Sequence, residues 1–140
     1  MKKIIITLSL LLCLGCSKEK VLECSKEEDL DGYKTISKEL ITFNKDNVLE
    51  YDAKIEVTLD NDYLKYKSVF IKEIENKFKE YNKMKGVKFK EEETDTGLNM
   101  TINANITKMS NKSLEKLKLR KKANLKATKT DREKDGFKCK

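Results

Sequence analysis

The chain has 140 residues, 31 basic and 24 acidic side chains, and a formal net charge of +7 at pH 7. It contains no His, which excludes His-dependent nucleophiles, His acid–base pairs and His-ligated metal sites. Apolar and charged residues make up 38% and 39% of the chain. We therefore expect one domain with a small core and a highly charged surface.

The N-terminal residues have the pattern of an export signal. Two lysines precede an apolar stretch over 4–14, which is shorter than the roughly 20 residues that a membrane-spanning helix needs. The stretch ends at Gly15 and Cys16, which resemble a bacterial lipobox, although Cys13 stands where Leu is usual. The alternative is an ordinary signal peptide or an uncleaved anchor.

The lipobox divides the chain into three parts. We predict a lipoprotein signal peptide over 1–15, a lipidated Cys16 with a short tether over 16–20, and a single domain over 21–140. The lipid would hold the protein on the extracytoplasmic face of the cell membrane.

The first part of the domain predicts three strands joined by tight turns. Leu22 and Cys24 share one face of the first strand. Asp followed by Gly favours a hairpin turn, and four polar residues mark the next turn. The third segment alternates apolar and polar residues without an error, which predicts a half-buried antiparallel strand. These strands and turns lie at 21–26, 31–32, 33–43, 44–47 and 49–59.

An aromatic stripe predicts one long helix after the third strand. Asp60 and Asp62 offer N-cap chemistry, and the helix runs to about Met84 because Gly86 ends it. We expect the stripe to pack on the sheet, although it could also form the wall of a ligand site. Its members recur at spacings of three and four residues: Tyr63, Tyr66, Phe70, Ile74, Phe78 and Tyr81.

The rest of the chain predicts two more strands and then short helices. Ser110 or Ser113 is expected to cap the first short helix, and Gly136 to end the second. The predicted fold class is α+β, with an antiparallel sheet packed on one long helix and short C-terminal helices. The remaining elements are strands over 87–93 and 98–106, a helix covering Leu114 and Leu117, a helix over 130–135 and an extended piece over 137–139.

Two cysteines remain once the signal and the lipid site are set aside. Cys24 and Cys139 lie near opposite ends of the predicted domain, and two such residues in an exported protein usually pair. Closing a loop of about 100 residues stabilises a small domain by roughly 4–5 kcal/mol in the chain-entropy model. The alternative is a pair of free thiols, one of them a redox group.

The whole arrangement resembles the YehR-like group of small bacterial lipoproteins. The resemblance rests on the lipobox, the Cys-bearing strand, the alternating strand, the long helix and three short segments. It implies a lipid anchor, an α+β domain, the pairing of the two domain cysteines and no established activity. The three segments are Glu28-Asp29-Leu30-Asp31-Gly32-Tyr33, Lys85-Gly86-Val87-Lys88 and Asp135-Gly136-Phe137-Lys138-Cys139.

Charge is unevenly distributed along the chain. A basic segment over 116–130 holds seven cations and no acid, so it could rest on anionic lipid headgroups or on an anionic wall polymer. Nucleic acid is not expected outside the cell, and the alternative is a solvated flank. The seven residues are Lys116, Lys118, Arg120, Lys121, Lys122, Lys126 and Lys129.

Together these patterns favour a non-enzymatic surface lipoprotein that binds a partner at the membrane or cell wall, without a metal or cofactor. Glu27, Asp29 and Asp31 match the start of a calcium loop, but Lys38 stands where that loop needs a bidentate Glu. A small-ligand-binding lipoprotein and a carboxylate-based hydrolase are the two alternatives.

Overall fold

The computed structural model describes residues 18–140. Its main element is one antiparallel six-stranded sheet with the order β4-β5-β3-β2-β1-β6. The predicted lipidation site, Cys16, lies outside the described residues, so lipidation stays a prediction. The strands are β1 (Lys20–Leu30), β2 (Tyr33–Asn44), β3 (Asn47–Leu59), β4 (Val87–Glu93), β5 (Gly97–Asn105) and β6 (Lys138–Cys139).

Tight turns set the register of the sheet, as the sequence predicts. Gly32 has a φ of +86° in the β1–β2 turn, a left-handed conformation that glycine adopts at low cost. A β-bulge modifies the predicted alternation in β3, because Thr42 pairs with Glu50 whereas Phe43 pairs with Val48. Val48 therefore takes the buried position at the start of this strand, and Leu49 is only half-buried.

Within residues 18–140, three α-helices and three 3₁₀ helices complete the fold. Apolar residues of α1, α2 and the chain between α2 and α3 join the buried side chains of one sheet face, which we call the core face. The other face, the open face, carries mainly exposed polar and charged side chains. The α-helices are α1 (Lys67–Phe78), α2 (Asn111–Lys116) and α3 (Leu125–Lys134), and the 3₁₀ helices are Asn61–Tyr66, Tyr81–Lys83 and Ile106–Lys108.

The predicted long helix is present in its extent, over 61–83, but it is not one regular α-helix. The stripe residues span a 3₁₀ helix, the 12-residue α1 and a second 3₁₀ helix. The first turn is tighter because Tyr63 bends over Gly32, where a Cβ would meet its ring. Tyr63 and Tyr66 are 39% and 54% exposed, and the buried residue of α1 is Ile71.

The predicted α+β fold class is wrong. An α+β domain would balance the sheet with a substantial helical layer, whereas here the sheet dominates and the helices are short. The chain is a mainly β fold in which short helices cover one face. No helix among residues 18–140 is long and apolar enough to cross a membrane.

The disulfide between Cys24 and Cys139 is present and confirms that prediction. It joins β1 to β6, where the two cysteines are direct cross-strand partners. The helix that precedes β6 differs from its prediction: α3 begins at Leu125 rather than at Thr130, because the Asn124 side chain accepts a hydrogen bond from the Ala127 amide.

Candidate functional site: the Lys20 end of the sheet

The sheet has two ends of different composition. At the Lys20 end β1 begins, β2 turns into β3, β5 ends and β4 begins, as the pairing of Lys20 with Phe43 and of Val87 with Ala104 requires. At the Gly32 end lie the β1–β2 turn, the end of β3 and the β4–β5 turn. A strand as long as β3 separates the two ends by about 40 Å.

Charge differs sharply between these ends. At the Lys20 end the segments 18–20, 44–47, 83–86, 105–108 and 120–123 carry nine basic side chains against Glu19 and Asp46. At the Gly32 end the segments 29–34, 59–67 and 93–97 carry six acidic side chains against three lysines. The basic residues of the Lys20 end are Lys18, Lys20, Lys45, Lys83, Lys85, Lys108, Arg120, Lys121 and Lys122. The acidic residues of the Gly32 end are Asp29, Asp31, Asp60, Asp62, Glu93 and Asp95.

Part of the basic segment is fixed to the Lys20 end by backbone hydrogen bonds. The Val48 amide donates to the Lys121 carbonyl at 2.9 Å, and the Ala123 amide donates to the Asp46 carbonyl at 3.0 Å. A β-bridge joins Asn47 to Lys122 between them. The segment is therefore ordered against the β2–β3 turn, although its sequence shows little periodicity.

A helix end directs the segment to that turn. The Leu119 amide donates to the Leu114 carbonyl and the Lys118 amide to the Glu115 carbonyl, which is the hydrogen-bond pattern of a Schellman motif. Lys118 occupies its left-handed position with a φ of +52°, where glycine is usual. Because the sequence offers Lys there, the end of α2 could not be read from it.

The structure divides the seven predicted basic residues into two groups. Lys116, Lys118 and Lys129 form ion pairs with Glu80, Asp135 and Glu133, those of Lys118 and Lys129 at 3.1 and 3.8 Å. The other four are exposed, and within residues 18–140 no carboxylate lies in ion-pair contact with them: Arg120, Lys121, Lys122 and Lys126. The Lys121 ammonium instead donates to the Thr107 carbonyl at 3.4 Å.

The segment also lines an open cleft of about 1030 Å³ between α2 and α3. Lys118, Arg120 and Lys134 line it together with Asp131 and Asp135. Both signs of charge are present in this cleft, so its walls favour solvent and ions over an apolar ligand.

Beneath the cleft lies a buried polar cluster that the sequence did not reveal. Glu39 on β2 and Arg132 on α3 are 7% and 4% exposed, and their Oε2 and Nε atoms lie 3.0 Å apart without hydrogen-bond alignment. The Tyr51 hydroxyl donates to Glu39 Oε1 at 2.8 Å, and Arg132 donates to the Leu117 carbonyl at 2.9 Å. Arg132 thereby attaches α3 both to the sheet and to the end of α2.

Burial dominates the electrostatics of this cluster. It raises the pKa of Glu39, and the Arg132 charge and the Tyr51 hydrogen bond oppose that change. Burial, followed by the Glu39 charge, raises the pKa of Tyr51. These groups pair with each other around a structural contact, and the Asp135 charge also raises the pKa of Glu39.

Comparisons with known proteins give a structure with a similar fold, but they give no function. No protein-family model and no curated protein matches the sequence. An NMR structure of a protein from Streptococcus pneumoniae TIGR4 is similar, with a TM-score of 0.58, 15% identity, and coverage of 100% of this chain and 96% of that chain. At this identity the likeness shows a shared fold alone.

Proposed function

We propose that the protein is a non-enzymatic, lipid-anchored binding module whose Lys20 end rests on an anionic membrane surface. One observation carries this proposal: β1 leaves the predicted tether at the same end of the sheet to which Arg120, Lys121 and Lys122 are fixed. A lipid on Cys16 would therefore bring these cations, and not the acidic Gly32 end, next to the headgroups.

The length of the tether supports this orientation. Four residue steps separate Cys16 from Lys20, and a fully extended chain covers at most about 14 Å in that distance. Electrostatic attraction decays over about 8 Å at physiological salt, so charges near the tether act on the membrane while those about 40 Å away do not. Each cation close to an anionic surface contributes about 1 kcal/mol.

Binding, rather than catalysis, is the activity that this surface favours. The exposed cations of the Lys20 end suit an anionic surface, whereas the buried acid, Glu39, is occupied by Arg132 and Tyr51. Membership of the YehR-like group, an extracytoplasmic location and the lack of an enzymatic activity stay predictions.

Cosedimentation with lipid vesicles tests the membrane contact. The described core and disulfide lie within residues 22–139, so a protein without the anchor keeps these contacts. We expect it to bind vesicles rich in anionic lipid weakly at low salt, to release them at high salt, and to ignore neutral vesicles. Replacing Arg120, Lys121 and Lys122 by Gln should reduce binding by about tenfold or more.

A matched variant controls for total charge. Replacing Lys116, Lys118 and Lys129 by Gln also removes three positive charges, but these lysines are already paired with carboxylates. We expect this variant to retain most of the binding. Equal losses in the two variants, or equal binding to neutral vesicles, would contradict a contact made by the Lys20 end.

The lipid anchor has its own test. Cys16→Ala should prevent incorporation of labelled fatty acid in cells, because the thiol that would carry the lipid is gone. A variant that still acquires the label would show that the lipobox interpretation is wrong, whatever the vesicle experiment gives.

A further inference from the structure

A row of lysines crosses the open face of the sheet. The register places Lys38 opposite Lys54 on neighbouring strands. Thr101 lies between Lys54 and Lys90, and Ser25 lies between Lys38 and Lys138. The row thus runs through all six strands in the order Lys138, Ser25, Lys38, Lys54, Thr101, Lys90, and we call it the lysine row.

The lysine row is electrostatically unfavourable for the isolated domain. Lys38 and Lys54 are directly opposite each other, and like charges in such a pair destabilise a sheet. All four lysines are exposed, and within residues 18–140 none of them forms an ion pair. Four cations over five strand spacings make a line about 24 Å long.

Several carboxylates beside the lysine row already pair with other side chains. Glu27 pairs with Lys34, and Glu23 pairs with Lys140 at 3.0 Å. Asp52 accepts a hydrogen bond from the Asn103 side chain. Glu56 and Glu92 lie two residues along the strands from Lys54 and Lys90, about 7 Å away, and Asp52 lies at the same spacing from Lys54, so these three carboxylates weaken the field of the row.

The surroundings of the row suit an extended ligand. The helices lie on the core face, so they leave the open face uncovered. A basin of about 430 Å³ at the β1–β6 side of the row is lined by Ser25, Lys38, Lys138 and Lys140, and also by Leu40 and by Glu23, which is paired with Lys140. Hydroxyl and ammonium donors follow one another at the spacing of the strands, which a chain of anionic groups can follow across the sheet.

We propose that the lysine row binds a linear, phosphate-bearing polymer that crosses the strands at right angles to them. Each ammonium donates a charge-assisted hydrogen bond to a phosphate oxygen, and the Ser25 and Thr101 hydroxyls donate between them. The ligand relieves the repulsion between Lys38 and Lys54. This site is separate from the Lys20 end, so the membrane contact proposed above and polymer binding can occur together.

The observations favour a polymer over a second copy of the chain. Two copies packed face to face can match the lysine row with the row of Glu27, Glu56 and Glu92 only when their strands run in opposite directions. Their Lys20 ends then point apart, which two short tethers on one membrane do not allow. This step rests on the proposed lipid anchor.

The test uses the full lipidated protein in neutral vesicles, with inorganic polyphosphate as the probe. The variant Lys38→Gln, Lys54→Gln, Lys90→Gln removes three charges from the row. The control variant Arg120→Gln, Lys121→Gln, Lys122→Gln removes three charges from the Lys20 end. We expect affinity for polyphosphate to fall by about tenfold or more in the first variant and by less than about twofold in the second.

A second pair of changes moves the affinity in the other direction. Glu56→Gln with Glu92→Gln should strengthen polyphosphate binding, because two carboxylates beside the row are neutralised. The unfolding temperature should not fall in the three-lysine variant, since like charges are removed from opposite positions; this separates loss of binding from loss of fold.

Three results would overturn the proposal. Equal losses in the two triple variants would mean that polyphosphate responds to net charge only, and absence of binding to the unmodified protein would mean that the row is no polymer site. Concentration-dependent dimers that disappear in the three-lysine variant would assign the open face to a second copy. If polyphosphate binding fails while binding to anionic vesicles is intact, the lysine-row proposal is wrong and the proposed membrane contact is unaffected.

Discussion

The two ends of the sheet are built in different ways. The Gly32 end consists of short turns between neighbouring strands, and Tyr63 covers the glycine from a few residues after β3. The Lys20 end also has such a turn, but its cations at Arg120, Lys121 and Lys122 come from a segment about 75 residues further along the chain. The acidic end also has long-range contacts, such as the hydrogen bond from the Leu59 amide to the Thr96 carbonyl, but the basic end joins segments that are farther apart in the sequence.

This difference indicates where the basic end is vulnerable. The segment is fixed by backbone bonds to the β2–β3 turn and by Arg132, which links α3 to β2 and to the Leu117 carbonyl. A change in the buried cluster should therefore disturb the basic end more than the acidic end.

The largest effect is expected for Arg132→Ala. The substitution leaves the Glu39 carboxylate buried without its cation, which costs about 3–5 kcal/mol of unfolding free energy. Arg132→Met combined with Glu39→Leu and Tyr51→Phe should recover much of that loss, because the apolar replacements leave neither a buried charge nor a buried hydroxyl without a partner. Denaturant unfolding measures both, and an unchanged midpoint in Arg132→Ala would show that the ion pair does not hold α3.

A smaller effect is expected at the Gly32 end from Phe70→Ala. Phe70 was expected in the core, but it is half-buried, with its ring 4.9 Å from that of Tyr33. A fully buried Phe costs about 3–5 kcal/mol when truncated, so we expect about half of that. A loss as large as that of Ile71→Ala, the buried residue of α1, would show that the stripe packs as the sequence predicted.

The smallest effect is expected from neutralising the acidic end. Replacing Asp31, Asp60 and Asp95 by Asn raises the net charge by three, yet these residues lie about 40 Å from the proposed membrane contact. Affinity for anionic vesicles should change by less than about twofold at physiological salt, because screening acts over about 8 Å. A strong increase would show that overall charge, and not the Lys20 end, governs binding.

The sequence predicted the local features of this molecule better than its long-range ones. Alternation from Leu49 to Leu59 predicted β3 because period-two patterning depends only on residues close in sequence. The bulge beside Val48 was not predicted, because it depends on the pairing with β2. The Cys24–Cys139 pair followed from compartment and resemblance. By contrast, Glu39 broke the pattern of β2 for a reason visible only once Arg132 lies beside it.

The same distinction explains the candidate site. The basic segment was visible in the composition, but its division into paired and exposed cations depends on Glu80, Asp135 and Glu133. The lysine row could not be seen in the sequence, because its four lysines come from four different strands and are brought together only by the register. The aromatic stripe suggested one long helix since periodicity does not record where Tyr63 must bend over Gly32.

Acetylation footprinting tests the orientation at the membrane most directly, because lysines occur at both ends of the sheet. The lipidated protein would be acetylated on anionic and on neutral vesicles, and each lysine would be quantified by mass spectrometry. We predict slower acetylation of Lys45, Lys121 and Lys122 on anionic vesicles, with no change at Lys34 and Lys65 of the Gly32 end. Protection of the Gly32 end, or equal rates at both ends, would contradict a domain that stands on its Lys20 end.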